Sequence, residues 1–242
     1  MKSPEPFTTA ELEKLLSTPL YSGYLSPKRV NKPGSCLVRS GHWWSGVLFM
    51  HTGLRAGELS QLEPSDFVFD GPVPYLRVRE ESEGAGIKSV KNQASIRDVP
   101  LHPNLLTLGL EAFVDARRKK RPAERIFHEF RLGTNGRKSE GATKFWGVFL
   151  RVNGLWREGR ATHVWRHTVV AGLRGNGVAV EDVAALVGHT GSVGDLALFG
   201  QTIKYGGAYS LERKRDALLK LDYSLPLVQL LGGAYDAKLH GK

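Results

Sequence analysis

Six residues along the chain have side chains that together could break a phosphodiester: Arg55, Lys91, His163, Arg166, His189 and Tyr205. Cleavage of DNA without a metal has four needs. The growing charge on the non-bridging oxygens of a pentavalent phosphorane must be neutralised, and two guanidiniums suit this, because their forks match phosphate and stay charged at any working pH. A nucleophile must attack, and a tyrosine hydroxyl serves once its proton is taken. A lysine can protonate the leaving 5′ oxygen, and imidazoles can hold the phosphate and move protons. The chain fills every role, and it has no carboxylate cluster spaced to hold Mg²⁺, so no cofactor and no metal is expected.

Each of these residues also has an ordinary reading. Arg55 and Glu58 fit an i,i+3 ion pair, and His163 and Arg166 fit a polar stripe on a surface helix. Lys91 fits a protected strand edge, Gly188-His189 a helix stop, and Tyr205 a half-buried aromatic.

The elements that must position them follow from periodicity. Thr8-Thr9-Ala10-Glu11 is a capping-box pattern that opens a helix with Leu12, Leu15 and Leu16 on one face. Residues 21–41 are rich in Gly, Pro, Ser and Lys and read as a basic loop. His42 to Met50 reads as a buried helix, and Arg55 to Leu62 as its continuation with Leu54, Leu59 and Leu62 inward. Phe67 to Asp70, Tyr75 to Arg79 and Ser95 to Leu101 read as short strands. Pro103 opens a helix that ends in the basic run 117–121 before Pro122. Further helices are expected over Lys144 to Val152, Thr162 to Arg174, Val180 to Val187 and Ser210 to Leu221. Leu225 to Leu231 forms an apolar tail. The fold class is therefore mainly α with a small antiparallel β-sheet, as one domain over 1–242, with no internal repeat.

Composition agrees with a polyanion partner. Thirty-four Lys and Arg against twenty-four Asp and Glu give a formal charge of +10 and a pI near 9.8, and cationic contacts to phosphates release condensed counterions. The single cysteine, Cys36, excludes an internal disulfide, and no Cys/His cluster has zinc-finger spacing. The N-terminus lacks the apolar core of a signal peptide, and no apolar run is long enough to span a bilayer. A cytoplasmic protein associated with the bacterial nucleoid fits these features.

The joint order of the runs resembles the tyrosine recombinase (phage integrase) family along nearly the whole chain. Thr52-Gly53-Leu54-Arg55-x-x-Glu58-Leu59-x-x-Leu62-x-x-x-Asp66 resembles that family's first arginine box. Lys91 through Ser95, Arg97 and Val99-Pro100-Leu101-His102 is similar to its β-hairpin lysine segment. His163-x-x-Arg166-His167 is similar to its second arginine box, and Leu186-Val187-Gly188-His189 to its Leu-Gly-His. Tyr205-Gly206-Gly207, with Leu211 and the helix that follows, resembles the nucleophile segment of bacterial and phage-derived integrases.

The resemblance implies a site-specific DNA recombinase. Arg55 and Arg166 would clamp the scissile phosphate, and His163 and His189 would bond to it. Lys91 would act as general acid, Glu58 would orient Arg55, and Tyr205 would form a 3′-phosphotyrosyl link without ATP or metal. It implies double-stranded DNA as partner, a tetrameric synapse and accessory DNA-bending proteins. The family's N-terminal core-binding domain is expected to be absent from these residues.

The chain departs from the pattern at Trp165, where Leu is usual, and at Asn92, where Thr is usual. Lys88 rivals Lys91. The gap of sixteen residues from His189 to Tyr205 makes Tyr209 a rival nucleophile and Tyr223 a lesser one. Two other readings stay open: a type IB topoisomerase and a DNA-binding regulator without catalysis. The tail over 225–240 is expected to dock either on its own core or on a neighbouring subunit. Lys28, Arg29, Lys32, the 117–121 run, Arg137, Lys138 and Lys144 are candidate contacts to the DNA backbone.

Overall fold

The computed structural model describes residues 5–79, 96–131, 133, 138–158, 161–188 and 209–232. Its core is built around α3 (Gly41–Thr52), in which every residue from Trp43 to Thr52 is buried. A helix apolar on all sides has no solvent face, so it must be surrounded. α8 (His163–Gly175) and α5 (Pro103–Thr107) pack against it. Trp44 stacks on Phe113, and Trp146 meets Trp165 edge to face at 5.1 Å. Gly46 permits this packing, because a Cβ there would lie 2.7 Å from the Trp146 ring and closer still to the Tyr21 hydroxyl.

α1 (Thr9–Leu16) starts at Thr8 with the expected capping box: Glu11 N–H donates to Thr8 Oγ1 at 3.2 Å, and Thr8 N–H to Glu11 Oε2 at 3.0 Å. After α2 (Pro19–Ser22), the basic excursion is an ordered loop, closed where Tyr24 pairs with Cys36. The expected strands form one antiparallel sheet in the order β1 (Phe67–Val68), β2 (Tyr75–Val78), β3 (Arg97–Pro100). Leu76 pairs with Val99, and Val78 with Arg97.

Two expected helices are broken by glycine. α3 stops at Gly53, which is left-handed at φ +61°, and α4 (Ala56–Ser60) begins only after Arg55. The segment after Pro103 is likewise two helices, α5 and α6 (Leu110–Lys120), divided at Gly109 with φ +88°. In both cases the apolar spacing runs through the break, while glycine takes a backbone conformation that costs other residues energy.

α7 (Glu140–Val152) leads to α8. Trp165 is fully buried on α8 between Phe7, Phe49 and Trp146, an aromatic setting with room for the larger residue. α9 (Val180–Val187) ends at Gly188, and α10 (Leu211–Leu218) is capped by Ser210 and packs on α9 and β3. Among the described residues no helix is long and apolar enough to cross a membrane.

The part of the apolar tail within the described residues lies against its own chain, while residues 233–240 lie outside the described residues. Leu227 and Leu231, at the ends of α11 (Leu227–Leu230) and just beyond it, are buried. The buried Arg39 guanidinium donates to the Leu231 carbonyl at 2.8 Å and to the Leu108 carbonyl at 3.0 Å. Leu231→Ala should therefore destabilise the dilute monomer by about 2–4 kcal/mol, read as a lower midpoint in urea denaturation. An unchanged midpoint would mean that this segment adds nothing to its own chain.

Candidate active site

Arg55 stands in the elbow between α3 and α4, in extended conformation at the N-cap of α4. Glu58, one turn into that helix, reaches back to it. Arg55 N–H donates to Glu58 Oε2 at 2.9 Å, and Arg55 Nη1 donates to Glu58 Oε1 at 2.8 Å. This satisfies a free amide of the first turn and fixes the guanidinium at once. The Arg55 side chain keeps 15% of its surface exposed.

Arg166 lies on α8 and is buried. Its Nη1 donates to the carbonyls of Gly53, at 3.3 Å, and Val187, and its Nη2 to Gly188 O at 3.2 Å. Arg55 Nη2 donates to the same Gly188 oxygen at 3.1 Å. The last carbonyls of α3 and α9 have no partner within their helices and carry the negative end of each helix dipole. They hold the two guanidiniums, drawn from parts of the sequence 111 positions apart, around a single oxygen.

A third guanidinium completes the cluster. Arg97 on β3 donates through Nη1 and Nη2 to the two oxygens of Glu58, at 3.2 and 3.1 Å, and through Nε to Leu186 O at 2.9 Å. The sequence marked Arg97 only as a register point of the hairpin segment, because its partners lie 39 and 89 positions away. Burial alone would push the Glu58 carboxyl up. Arg97, followed by Arg55 and Arg166, outweighs this and holds it at about 2. Gly188 is required twice over: φ is +68°, and a Cβ would lie 2.5 Å from Arg97 Nη1.

His163 is exposed at the first position of α8, one turn before Arg166. Its neighbour His167 is half-buried; burial, with the charges of His163 and Arg166, pushes its imidazole down to about 4. Asp66, the last residue of the first box, is buried and structural: it accepts from Glu63 N–H at 2.8 Å and from Arg79 Nε at 2.5 Å, pinning β2. The structure thus brings Arg55, Glu58 and Arg166 together, with His163 on the same helix as Arg166. Lys91, His189 and Tyr205, with the rival Lys88, lie outside the described residues.

Of the rival tyrosines, Tyr223 is excluded by its setting. Its hydroxyl is buried and donates to Met50 O at 2.7 Å, and burial pushes its pKa up. Tyr209 is half-buried, with the Arg213 guanidinium 4.6 Å above its ring. Of the basic candidates, Arg117, Arg118 and Arg121 are engaged with Glu129, Asp115 and Glu124, and Lys138 donates to Gln61. Lys28, Arg29, Lys32, Lys119 and Lys144 are exposed, while Arg137 lies outside the described residues. Among those residues no group of His, Cys, Asp and Glu could hold a metal ion.

No family model matches the sequence, and no curated protein matches it. Solved structures do match the fold. The XerH site-specific recombinase, in a pre-cleavage complex with its difH substrate, superposes with a TM-score of 0.52 at 20% identity, over 83% of this chain and 51% of that one. The Tn1549 transposon integrase in complex with circular intermediate DNA gives 0.55 at 18% identity, over 92% and 68%. The integrase from mycobacterium phage Brujita gives 0.51 at 16%, over 96% and 63%. The fold is that of a tyrosine recombinase catalytic domain, mainly helical with a small antiparallel sheet. The chain spans about half the length of the XerH recombinase it matches.

The buried carboxylate makes stability depend on acid. The pKa of Glu58 in the fold, about 2, lies below its usual 4.5, so its contribution is complete above 4.5 and is lost as pH falls toward 2. Glu58→Gln should cost roughly 3 kcal/mol at neutral pH and should flatten the loss of stability between those two values. Urea denaturation across that range is the measurement; an equal slope in the variant would remove Glu58 as its source.

Proposed function

We propose that this chain is the catalytic domain of a site-specific DNA recombinase that cuts and rejoins strands through a tyrosyl phosphate. The convergence of Arg55 and Arg166 on the Gly188 carbonyl oxygen carries the reading. Anchored on one carbonyl oxygen, the two guanidiniums are held side by side and oriented before DNA arrives, the pairing of positive charge that an anionic phosphate needs. The matched fold and the order of the boxes support it.

In this reading, Tyr205 Oη attacks the scissile phosphorus and the bond from phosphorus to the 5′ oxygen breaks. Lys91 delivers a proton to that oxygen, leaving a 3′-phosphotyrosyl link and a free 5′ hydroxyl. Arg55 and Arg166 carry the charge of the phosphorane, with His163 and His189 bonding to its oxygens. The 5′ hydroxyl of a partner strand then reverses the step, so the phosphoester energy is kept. Residues 1–242 act as one catalytic unit, on double-stranded DNA in a bacterial cytoplasm, and four copies meet in a synapse. The exposed Lys28, Arg29, Lys32 and Lys144 are candidate backbone contacts that position DNA without reading its sequence.

Nicked suicide duplexes, tiled across the DNA flanking the coding sequence, test the chemistry, because loss of a short 5′ fragment traps the adduct. The expected result is a covalent protein–DNA species that Tyr205→Phe abolishes and Tyr209→Phe retains. Arg55→Gln and Arg166→Gln should each slow its formation about 10²–10³-fold. No adduct on any duplex, or an adduct that persists in Tyr205→Phe, would reject the assignment.

A further inference from the structure

We infer that Arg97 is a positioning residue for the arginine pair, an inference that rests on the reading just given. Its three donors reach the two features that aim Arg55 and Arg166. Nη1 and Nη2 bind the Glu58 carboxylate, and Nε binds Leu186 O. Each Glu58 oxygen therefore serves two donors. Oε1 takes Arg55 Nη1 and Arg97 Nη1, while Oε2 takes the Arg55 amide and Arg97 Nη2.

The Leu186 carbonyl belongs to the same turn as the Val187 and Gly188 carbonyls that hold Arg166 and Arg55. That turn lies directly on the Arg97 guanidinium, with no space for a side chain at Gly188. One fork thus fixes both the carboxylate that orients Arg55 and the turn on which the two arginines meet. Each of its three guanidinium nitrogens is engaged, two with Glu58 and one with the Leu186 carbonyl, so Arg97 is placed to hold this arrangement.

The chemistry of the fork says what its loss does. With Arg97 gone, the buried Glu58 retains the nearby Arg55 as its cationic hydrogen-bonding partner. A carboxylate left with one guanidinium takes it in the bidentate geometry that pairs both forks, which withdraws Arg55 from an incoming phosphate. The 186–188 turn loses its donor in the same step. Lysine would keep the charge, but as a point donor it cannot hold the carboxylate and the Leu186 carbonyl together.

The test uses the 242-residue chain, with Arg97→Gln, Arg97→Lys and Arg97→Gln combined with Glu58→Gln. Adduct formation is followed in single turnover at saturating protein on the suicide duplex. Dissociation constants are measured on the intact duplex, and folding by circular dichroism.

Arg97→Gln should slow adduct formation about 10- to 100-fold while the dissociation constant moves less than about threefold. Arg97→Lys should be intermediate, and in the Glu58→Gln background the loss of Arg97 should add less than about threefold. A wild-type rate in Arg97→Gln overturns the inference. So does a proportional fall in rate and affinity, or full additivity with Glu58→Gln. If Arg97→Gln does not fold, Arg97→Lys carries the same comparison of rate with affinity. A wild-type chain that forms no adduct removes the recombinase reading and this inference with it, whereas a wild-type adduct with indifferent Arg97 variants removes this inference alone.

Discussion

Three guanidiniums lie within bonding distance of one another's partners, and a single buried carboxylate, Glu58, faces two of them directly. Cations brought this close in a medium of low dielectric repel strongly. Glu58 offsets that repulsion while giving up its own hydration, and it survives ionised only because every oxygen is hydrogen-bonded. The remaining positive charge is balanced by carbonyls at the ends of α3 and α9, which supply partial negative charge without adding a second full anion. The cluster therefore stays short of neutrality.

The rest of the fold brings these ends to one place. α3 is buried on every side, so its direction is set by the aromatic residues around it, and its C-terminus delivers Gly53 O and Arg55 to the centre. α8 crosses α3 and presents Arg166, while the sheet presents Arg97 from β3. α10 ties this sheet to the helical layer: Lys214 donates to the backbone oxygen of Asp98, and Arg213 pairs with Asp182 near the start of α9. Side chains whose reach is only a few ångströms depend on this packing, since interiors are dense and shift little.

Much of this was legible in the chain, and the misses have identifiable causes. Arg55 and Arg166 could be read because the runs around them, taken in their order along the chain, resemble the two arginine boxes of a known family. The class of fold followed from apolar periodicity and from turn residues between the strands. The breaks at Gly53 and Gly109 were not legible, because the inward-facing residues on either side keep helical spacing across them and the glycine signal is outweighed. Arg97 was not legible as part of the site, because its role exists only once residues far along the sequence are adjacent. The tail was similar: its leucines announced burial, but only the Arg39 guanidinium and the core around α3 say where.

The two ends of the described chain also meet each other. Phe7 N–H donates to Thr168 Oγ1, and Thr9 Oγ1 to the carbonyl of Tyr223, 214 positions later. During synthesis, at roughly 5–20 residues per second, the first helix emerges some 10–40 s before the turn that closes over it. Until then Met50 O lacks the Tyr223 hydroxyl, and the helix that carries Arg55 to its place lacks part of its cover. A nascent chain thus holds both Arg55 and Arg166 before the last packing around α3 is in place, so the order of translation makes the arginine cluster one of the later features to become rigid.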